Sequence, residues 1–243
     1  MPPLSSLTPF LLQRDRLPLP LPGSPDLLLH RICFDAAAFT PASFAAQGMA
    51  LPASLQGAAP KRLGEFLAGR LAAREALRPF GLAGSTVAIG SAREPLWPAG
   101  MEGSISHSQL AGQGVALCGV RPAQGGMGLD LEAWLEAGQA AQLWPGIADE
   151  DEWGRLEAGA GALGLDRSRG LTLVFSAKES LFKALYPRVG RYFDFLDARW
   201  LALTDQTLTL ELKAPLTPTL PAGWRCTLHW QRLPGGVLTT LLL

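Results

Sequence analysis

The stretch VFSAKESLFKAL, residues 174–185, sets the tightest condition on how this chain folds. Its apolar residues Phe175, Leu181, Phe182 and Leu185 predict a helix over 176–186, yet Lys178, Glu179 and Lys183 stand among them. Glu179 and Lys183 are four residues apart and share a helix face, so a carboxylate and an ammonium lie side by side. On an open surface such a pair contributes only about 0.3–0.5 kcal/mol. Placed between Phe175, Phe182 and Tyr186, it points instead to a partly buried site. Ser176 and Glu179 also fit S-x-x-E, and a capping box would explain Glu179 while leaving Lys183 without a role.

The rest of the chain has enough apolar material to cover such a helix. Its 243 residues are 48% hydrophobic and 17% charged, which excludes a disordered or strongly solvating chain and suits one large domain or two closely packed smaller ones. Twenty-one basic and twenty-one acidic residues cancel, so the global basic signature of a nucleic-acid binder is absent and no nucleic acid is expected as a partner. Cys33, Cys118 and Cys226 are far apart, with no CxxC pair and no histidines at ligand spacing, and read as reduced, buried thiols rather than a zinc site. The opening MPPLSSLTPFLLQRDRLPLPLPG lacks a basic start, and Pro18, Pro20 and Pro22 interrupt any signal-like apolar run. With no stretch of eighteen apolar residues, a cytoplasmic protein that engages no membrane is expected.

Along the chain, the first forty residues are proline-rich and predicted extended, with an amphipathic or strand-like fragment at DLLLHRICF. KRLGEFLAGRLAAREALR, residues 61–78, carries Leu63, Phe66, Leu67, Leu71 and Leu77 near helical spacing and is stopped by PFG at 79–81. Arg62, Arg70 and Arg74 decorate this helix, either as a solvated face partnered by Glu65 and Glu75 or as ligand-binding groups. Strands are predicted at 86–90, 103–107 and 112–120, and RPAQGG at 121–126 reads as a turn-rich boundary between residues 1–122 and 123–243. The second half is expected to open on the strand MGLDLE, pass through helices near 133–158 and at 176–186, and end in strands around 199–213 and 225–242.

Two further segments carry chemistry. In GLDLEAW, period-two alternation puts Asp130 and Glu132 on one face and Leu129 and Leu131 on the other. Carboxylates so close repel unless a cation lies between them, and hard oxygen ligands suit magnesium; the plainer reading is a strand end with solvent-facing acids. In GSISHS, Ser104, Ser106 and Ser108 share one face, with Ile105 and His107 on the other. Hydroxyls, strand-end amides and a histidine supply donors for a phosphate. A Ser106–His107 nucleophile pair is disfavoured, since neighbours on a strand point apart and no G-x-S-x-G elbow surrounds Ser106.

In this order, GSISHS, GLDLE and FSAKESLFKA resemble the three motifs of the Sfp-type 4′-phosphopantetheinyl transferases. REPLWPAGMEGSISHS, KRLGEFLAGRLAAREAL and YPRVGRYFDFLDA are most similar to the enterobactin synthase component D branch, over roughly residues 60–200. The resemblance implies an α/β (α+β) pseudo-dimer of two similar halves, each a small antiparallel sheet packed with helices, with the active site at their interface. It implies transfer of the phosphopantetheine arm of coenzyme A to a serine of an apo acyl or peptidyl carrier protein, with magnesium as cofactor and 3′,5′-ADP released. By the same resemblance, Asp130, Glu132 and Glu179 hold the metal, Glu179 and Lys183 are catalytic, and Lys183, Ser106, His107, Arg62 and Arg93 meet the coenzyme. Ser104 and Asp130 join that coenzyme set, and Lys178 is assigned to coenzyme or carrier. Glu94 stands where several relatives have lysine, which makes Arg93 its substitute. A fused pair of halves needs no partner subunit, so a monomer is expected. A non-catalytic carrier-protein or nucleotide-binding module and a magnesium-dependent phosphohydrolase are the competing readings.

Overall fold

The computed structural model describes residues 9–19, 21 and 27–243. In chain order its elements are β1 (Leu11–Leu19), β2 (Leu27–Phe34), α1 (Ala42–Ala46), α2 (Pro60–Leu77), β3 (Ala88–Ile89), β4 (Pro95–Leu96), β5 (Met101–Leu110), β6 (Gln113–Pro122), β7 (Met127–Ala133), α3 (Ala137–Leu143), α4 (Glu150–Gly161), α5 (Arg167–Val189), β8 (Ala198–Leu203), β9 (Thr207–Leu212), β10 (Arg225–Leu233) and β11 (Gly236–Leu242). The extended conformation expected of the first forty residues appears as β1 and β2 but not at Ala36–Ala38, which form a 3-10 turn capped by Asp35; for residues 1–8, 20 and 22–26 it lies outside the described residues.

The chain forms two compact units, one of residues 1–98 and 105–120, the other of residues 99–104 and 121–243. The first is organised around a sheet of order β1-β2-β6-β5, in which β1–β2 and β2–β6 pair antiparallel. Helix α2 starts with proline in its first turn, where a missing amide costs nothing. It buries Leu63, Leu67 and Leu71, spaced one turn apart, and runs into a 3-10 turn, Arg78–Phe80, which Gly81 ends at a left-handed φ of 75°. A Cβ on Gly69 would lie 2.9 Å from Ile105 Cγ2, so the glycine lets α2 settle close to β5. Phe10, Phe39, Phe44 and Phe66 form a chain of ring contacts beside Leu29, Ile32 and Phe34 in this core.

The second unit holds a five-stranded antiparallel sheet of order β7-β11-β10-β9-β8 with α5 packed on it. Leu171, Val174, Ala177, Leu181 and Leu185 of α5 meet Leu208, Leu210, Leu228 and Val237 of the sheet in one core. Helix α5 is longer than its apolar spacing predicts. Asp166 caps it, accepting the Arg169 amide at 2.8 Å, and Gly190 ends it at φ 68°. Ser176 therefore lies mid-helix, and a capping box does not account for Glu179. The span 133–158 resolves into two helices, each opened by a capping box, Glu136 with Gln139 at α3 and Asp149 with Glu152 at α4.

The turn-rich segment after β6 is held in place rather than loose. Gly125 and Gly126 have φ 144° and 140°, a region side chains avoid. Arg121 donates to Glu102 Oε1 at 2.6 Å, Gly126 O at 3.1 Å and Leu243 O at 2.8 Å. This directs the chain into β7, which α5 approaches backbone to backbone. A Cβ on Gly128 would lie 1.8 Å from Ser180 O, and one on Gly126 2.4 Å from Ala184 O.

Because a backbone carbonyl cannot step aside, Gly128→Ala is expected to lower stability by roughly 1–3 kcal/mol or more. Urea unfolding checks this; an unchanged midpoint and slope would show that the approach is slack.

Candidate active site

Strand β7 and helix α5 bring four of the predicted residues together in the second unit. Asp130 is 2% exposed and its Oδ1 accepts Lys183 Nζ at 2.6 Å, while the same ammonium donates to Leu129 O at 3.1 Å. Glu132 follows on the same face of β7, half-buried, and Glu179 lies one turn before Lys183 on α5. Burial first, then Asp130, and more weakly Glu179, push the Glu132 carboxyl up to about 8, against the pull of Lys183. Burial also raises Glu179, with Lys183 opposing and Asp130 adding to the rise. These acids are thus not the solvent-facing strand end that GLDLE alone allowed.

Among the described residues, no three carboxylate, imidazole or thiol groups form a ready-made metal cage. The donor chemistry nonetheless fits a hard divalent cation. Three desolvated carboxylates repel one another, Lys183 is the positive group acting on Glu132 and Glu179, and a cation would relieve what the ammonium leaves.

The first unit carries a basic set. Arg62 Nη1 lies 3.4 Å from His107 Nε2, and His107 Nδ1 lies 3.9 Å from Glu65 Oε2. His107 thus lies between the guanidinium of Arg62 and the carboxylate of Glu65. Ser106 is buried in β5. Arg93 is exposed at φ 70°, at the tip of the loop joining β3 to β4. Glu94 accepts the Ala92 amide at 2.9 Å, and a Cβ on Gly90 would meet its Oε1 at 2.0 Å. Its carboxylate is folded into its own loop, which explains how an acid occupies this position.

Two predicted ligands have other partners. Ser104 Oγ accepts the Leu129 amide at 2.9 Å and donates to Leu129 O at 3.3 Å, so its hydroxyl staples β5 to β7 instead of reaching a phosphate. Lys178 is 1% exposed, and its ammonium donates to Ile147 O at 2.8 Å and to Glu152 Oε2 at 3.0 Å, with Glu152 Oε1 also 3.0 Å away. Glu152 in turn accepts the Trp200 amide at 2.8 Å and the Asp149 amide at 3.1 Å. The assignment of Lys178 to coenzyme or carrier is therefore corrected: its ammonium is taken up by Glu152 and Ile147 O. One helix position, about 100° of rotation, turns it into the core instead.

Arg70 of α2, for which the sequence leaves a solvated face and ligand binding both open, is not solvated. Arg70 is 8% exposed, stacks over Phe66 at 4.6 Å, and makes a long 3.4 Å bond to Ala88 O. Its Nε has no hydrogen-bond partner among the described residues, and burial lowers its pKa to about 10. Its position between Leu67, Ala68 and Leu71 was the available signal of burial.

Lys178→Ala should cost roughly 3–5 kcal/mol of stability by leaving Glu152 charged and unpaired, measured by urea unfolding. Unchanged stability with weakened coenzyme binding would return Lys178 to the ligand set.

Known proteins share this arrangement of sequence. A family model described as the 4′-phosphopantetheinyl transferase N-terminal domain matches residues 51–117, and one for the 4′-phosphopantetheinyl transferase superfamily matches residues 126–232. Enterobactin synthase component D of Salmonella typhimurium is 36% identical over 224 residues, 91% of this chain and 87% of that protein. The protein of the same name from Escherichia coli O157:H7 is 43% identical over 206 residues, 84% of this chain and 87% of that one. The 4′-phosphopantetheinyl transferase Svp of Streptomyces mobaraensis is 36% identical over 160 residues, 65% of this chain and 62% of that protein. With both family models matched in order and full-length relatives aligned across both units, the chain belongs to the 4′-phosphopantetheinyl transferase superfamily.

Proposed function

We propose that the chain transfers the 4′-phosphopantetheine arm of coenzyme A to a serine of an apo acyl or peptidyl carrier protein, releasing 3′,5′-ADP, with magnesium as cofactor. Membership of the superfamily supports the transfer and its two substrates. The observation that carries the assignment of residues is the Asp130–Lys183 pair flanked by Glu132 and Glu179. Similarity to the enterobactin synthase component D proteins favours a siderophore carrier as the acceptor. Activity on coenzyme A suits a cytoplasmic enzyme; among the described residues no helix is long and apolar enough to cross a membrane.

The reaction joins a serine oxygen to the phosphorus bearing the pantetheine arm and breaks that phosphorus's bond to the bridging oxygen of the pyrophosphate. An anionic electrophile repels the incoming oxygen, so charge must be offset before the bond can form. Asp130, Glu132 and Glu179 are the residues that would hold magnesium, which when bound supplies Lewis-acid polarisation and neutralises charge on the phosphates. Lys183, whose ammonium sits against Asp130 beside Glu132 and Glu179, stabilises the leaving phosphate. Glu179, whose carboxylate burial makes more basic than usual, accepts the serine proton. Arg62, Arg93, Ser106 and His107 bind the nucleotide end. Arg70 joins them: a buried guanidinium with an idle Nε is a donor waiting for an anion.

Incubation with coenzyme A, magnesium and an apo carrier, followed by mass spectrometry of the carrier, tests the whole reading. A covalent gain is expected. Free products with an unmodified carrier would mean a phosphohydrolase, and no turnover a binding module. Lys183→Ala should lower turnover about 10²–10³-fold with the fold intact; wild-type turnover would remove Lys183 from the catalytic set.

Arg70→Gln is expected to raise the KM for coenzyme A roughly tenfold or more, as loss of a charged hydrogen bond predicts. Its melting temperature should hold or rise, because a buried charge is removed. Lower stability with unchanged KM would make Arg70 structural.

A further inference from the structure

The C-terminal strand contributes a residue that none of the three motifs contains. Thr239 of β11 pairs with Asp130 of β7 in the antiparallel register and is fully buried. Its Oγ1 donates to Ser176 O at 2.8 Å and lies 3.0 Å from Ser176 Oγ and 2.7 Å from Ser180 Oγ. Ser180 Oγ also reaches Thr239 O at 3.2 Å, and Ser176 Oγ reaches Asp130 O at 3.4 Å. Three hydroxyls, each 0% exposed, thus lie between the helix bearing Glu179 and Lys183 and the two strands β7 and β11.

Stability alone does not explain this cluster. Each neutral hydrogen bond contributes only about 0.5–1.5 kcal/mol net, and an apolar replacement of matched shape is often nearly neutral. What hydroxyls add over alanine or valine is direction, because apolar surfaces slide and oxygens held at bonding distance do not. The clamp sits where direction matters. Ser176 and Ser180 bracket Glu179 in sequence, Lys183 follows less than one turn after Ser180, and Asp130 is Thr239's cross-strand neighbour. A slip of α5 by a few tenths of an ångström would carry Glu179 and Lys183 together away from Asp130, whose contact with Lys183 is only 2.6 Å.

We propose that Thr239, through Ser176 and Ser180, is a positioning residue that fixes α5 against β7 and so sets the spacing of the acid–lysine cluster. This rests on the reading of that cluster as the reaction centre. It predicts that Thr239→Val loses cation affinity and turnover out of proportion to any loss of stability, and that Thr239→Ser recovers most of both.

The experiment compares full-length wild type, Thr239→Val and Thr239→Ser. Mn²⁺ is titrated into coenzyme A-saturated protein by electron paramagnetic resonance, and carrier turnover and thermal melting are measured alongside. Folded Thr239→Val should lose roughly 10–100-fold in Mn²⁺ affinity and in turnover, as outer partners of metal ligands do. Wild-type values in that variant, or a Thr239→Ser variant as impaired as Thr239→Val, would overturn the proposal. If Thr239→Val does not fold, Ser180→Ala is judged by the same two readouts. Should wild type itself bind no Mn²⁺, the metal assignment fails separately, and the turnover ratio of the variants to wild type still decides the role of Thr239.

Discussion

The second unit depends on the contact of helix α5 with strand β7, where the carbonyls of Ser180 and Ala184 lie over glycines 128 and 126 with no room for a side chain. A helix that close brings its polar residues to the strand, so Lys183 reaches Asp130 directly. Charges are rarely buried without a partner, and here the pairing and the close packing are achieved by one contact. The cost appears in Glu132 and Glu179, both raised chiefly by burial and held where a carboxylate is poorly solvated.

The buried charges of α5 answer two different demands. Lys178 meets Glu152, whose remaining capacity is taken by the amides of Asp149 and Trp200, so this pair joins the start of α4, the start of β8 and the middle of α5. It is saturated with partners and belongs to the core. Lys183 is 26% exposed and meets Asp130, which is itself almost fully buried. In the first unit Arg70 shows a third condition, a buried cation with donor capacity left over. Hydrogen-bonding capacity is thus filled to different degrees at Lys178 and at Arg70, although both are buried cations.

Much of this could be read from residue spacing. Leucines at 63, 67 and 71 gave α2, period-two alternation gave β7, and the four-residue separation of Glu179 from Lys183 placed them together. Three things could not be read. The start of α5 was hidden because Ser176 and Glu179 imitate a cap, while the true signal, Asp166, stands ten residues earlier in a stretch with little periodicity. The fates of Ser104 and Lys178 depended on what lies across from them, Leu129 and Glu152, at sequence separations of 25 and 26 residues. Glu94 looked like a charge reversal in a binding loop, and only the empty space at Gly90 shows where its carboxylate goes. Local periodicity reports which face a residue occupies; it carries no information about the residue opposite.

The three thiols are all enclosed, and burial lifts each of them above the ordinary thiol range, Cys226 to about 12. Since the thiolate is the reactive form, none should alkylate while its surroundings stay closed. Cys33 and Cys118 belong to the first unit and Cys226 to the second, so the chain carries natural reporters in each. The rate at which each sulfur becomes accessible to iodoacetamide gauges how often its own half opens, without any label being introduced.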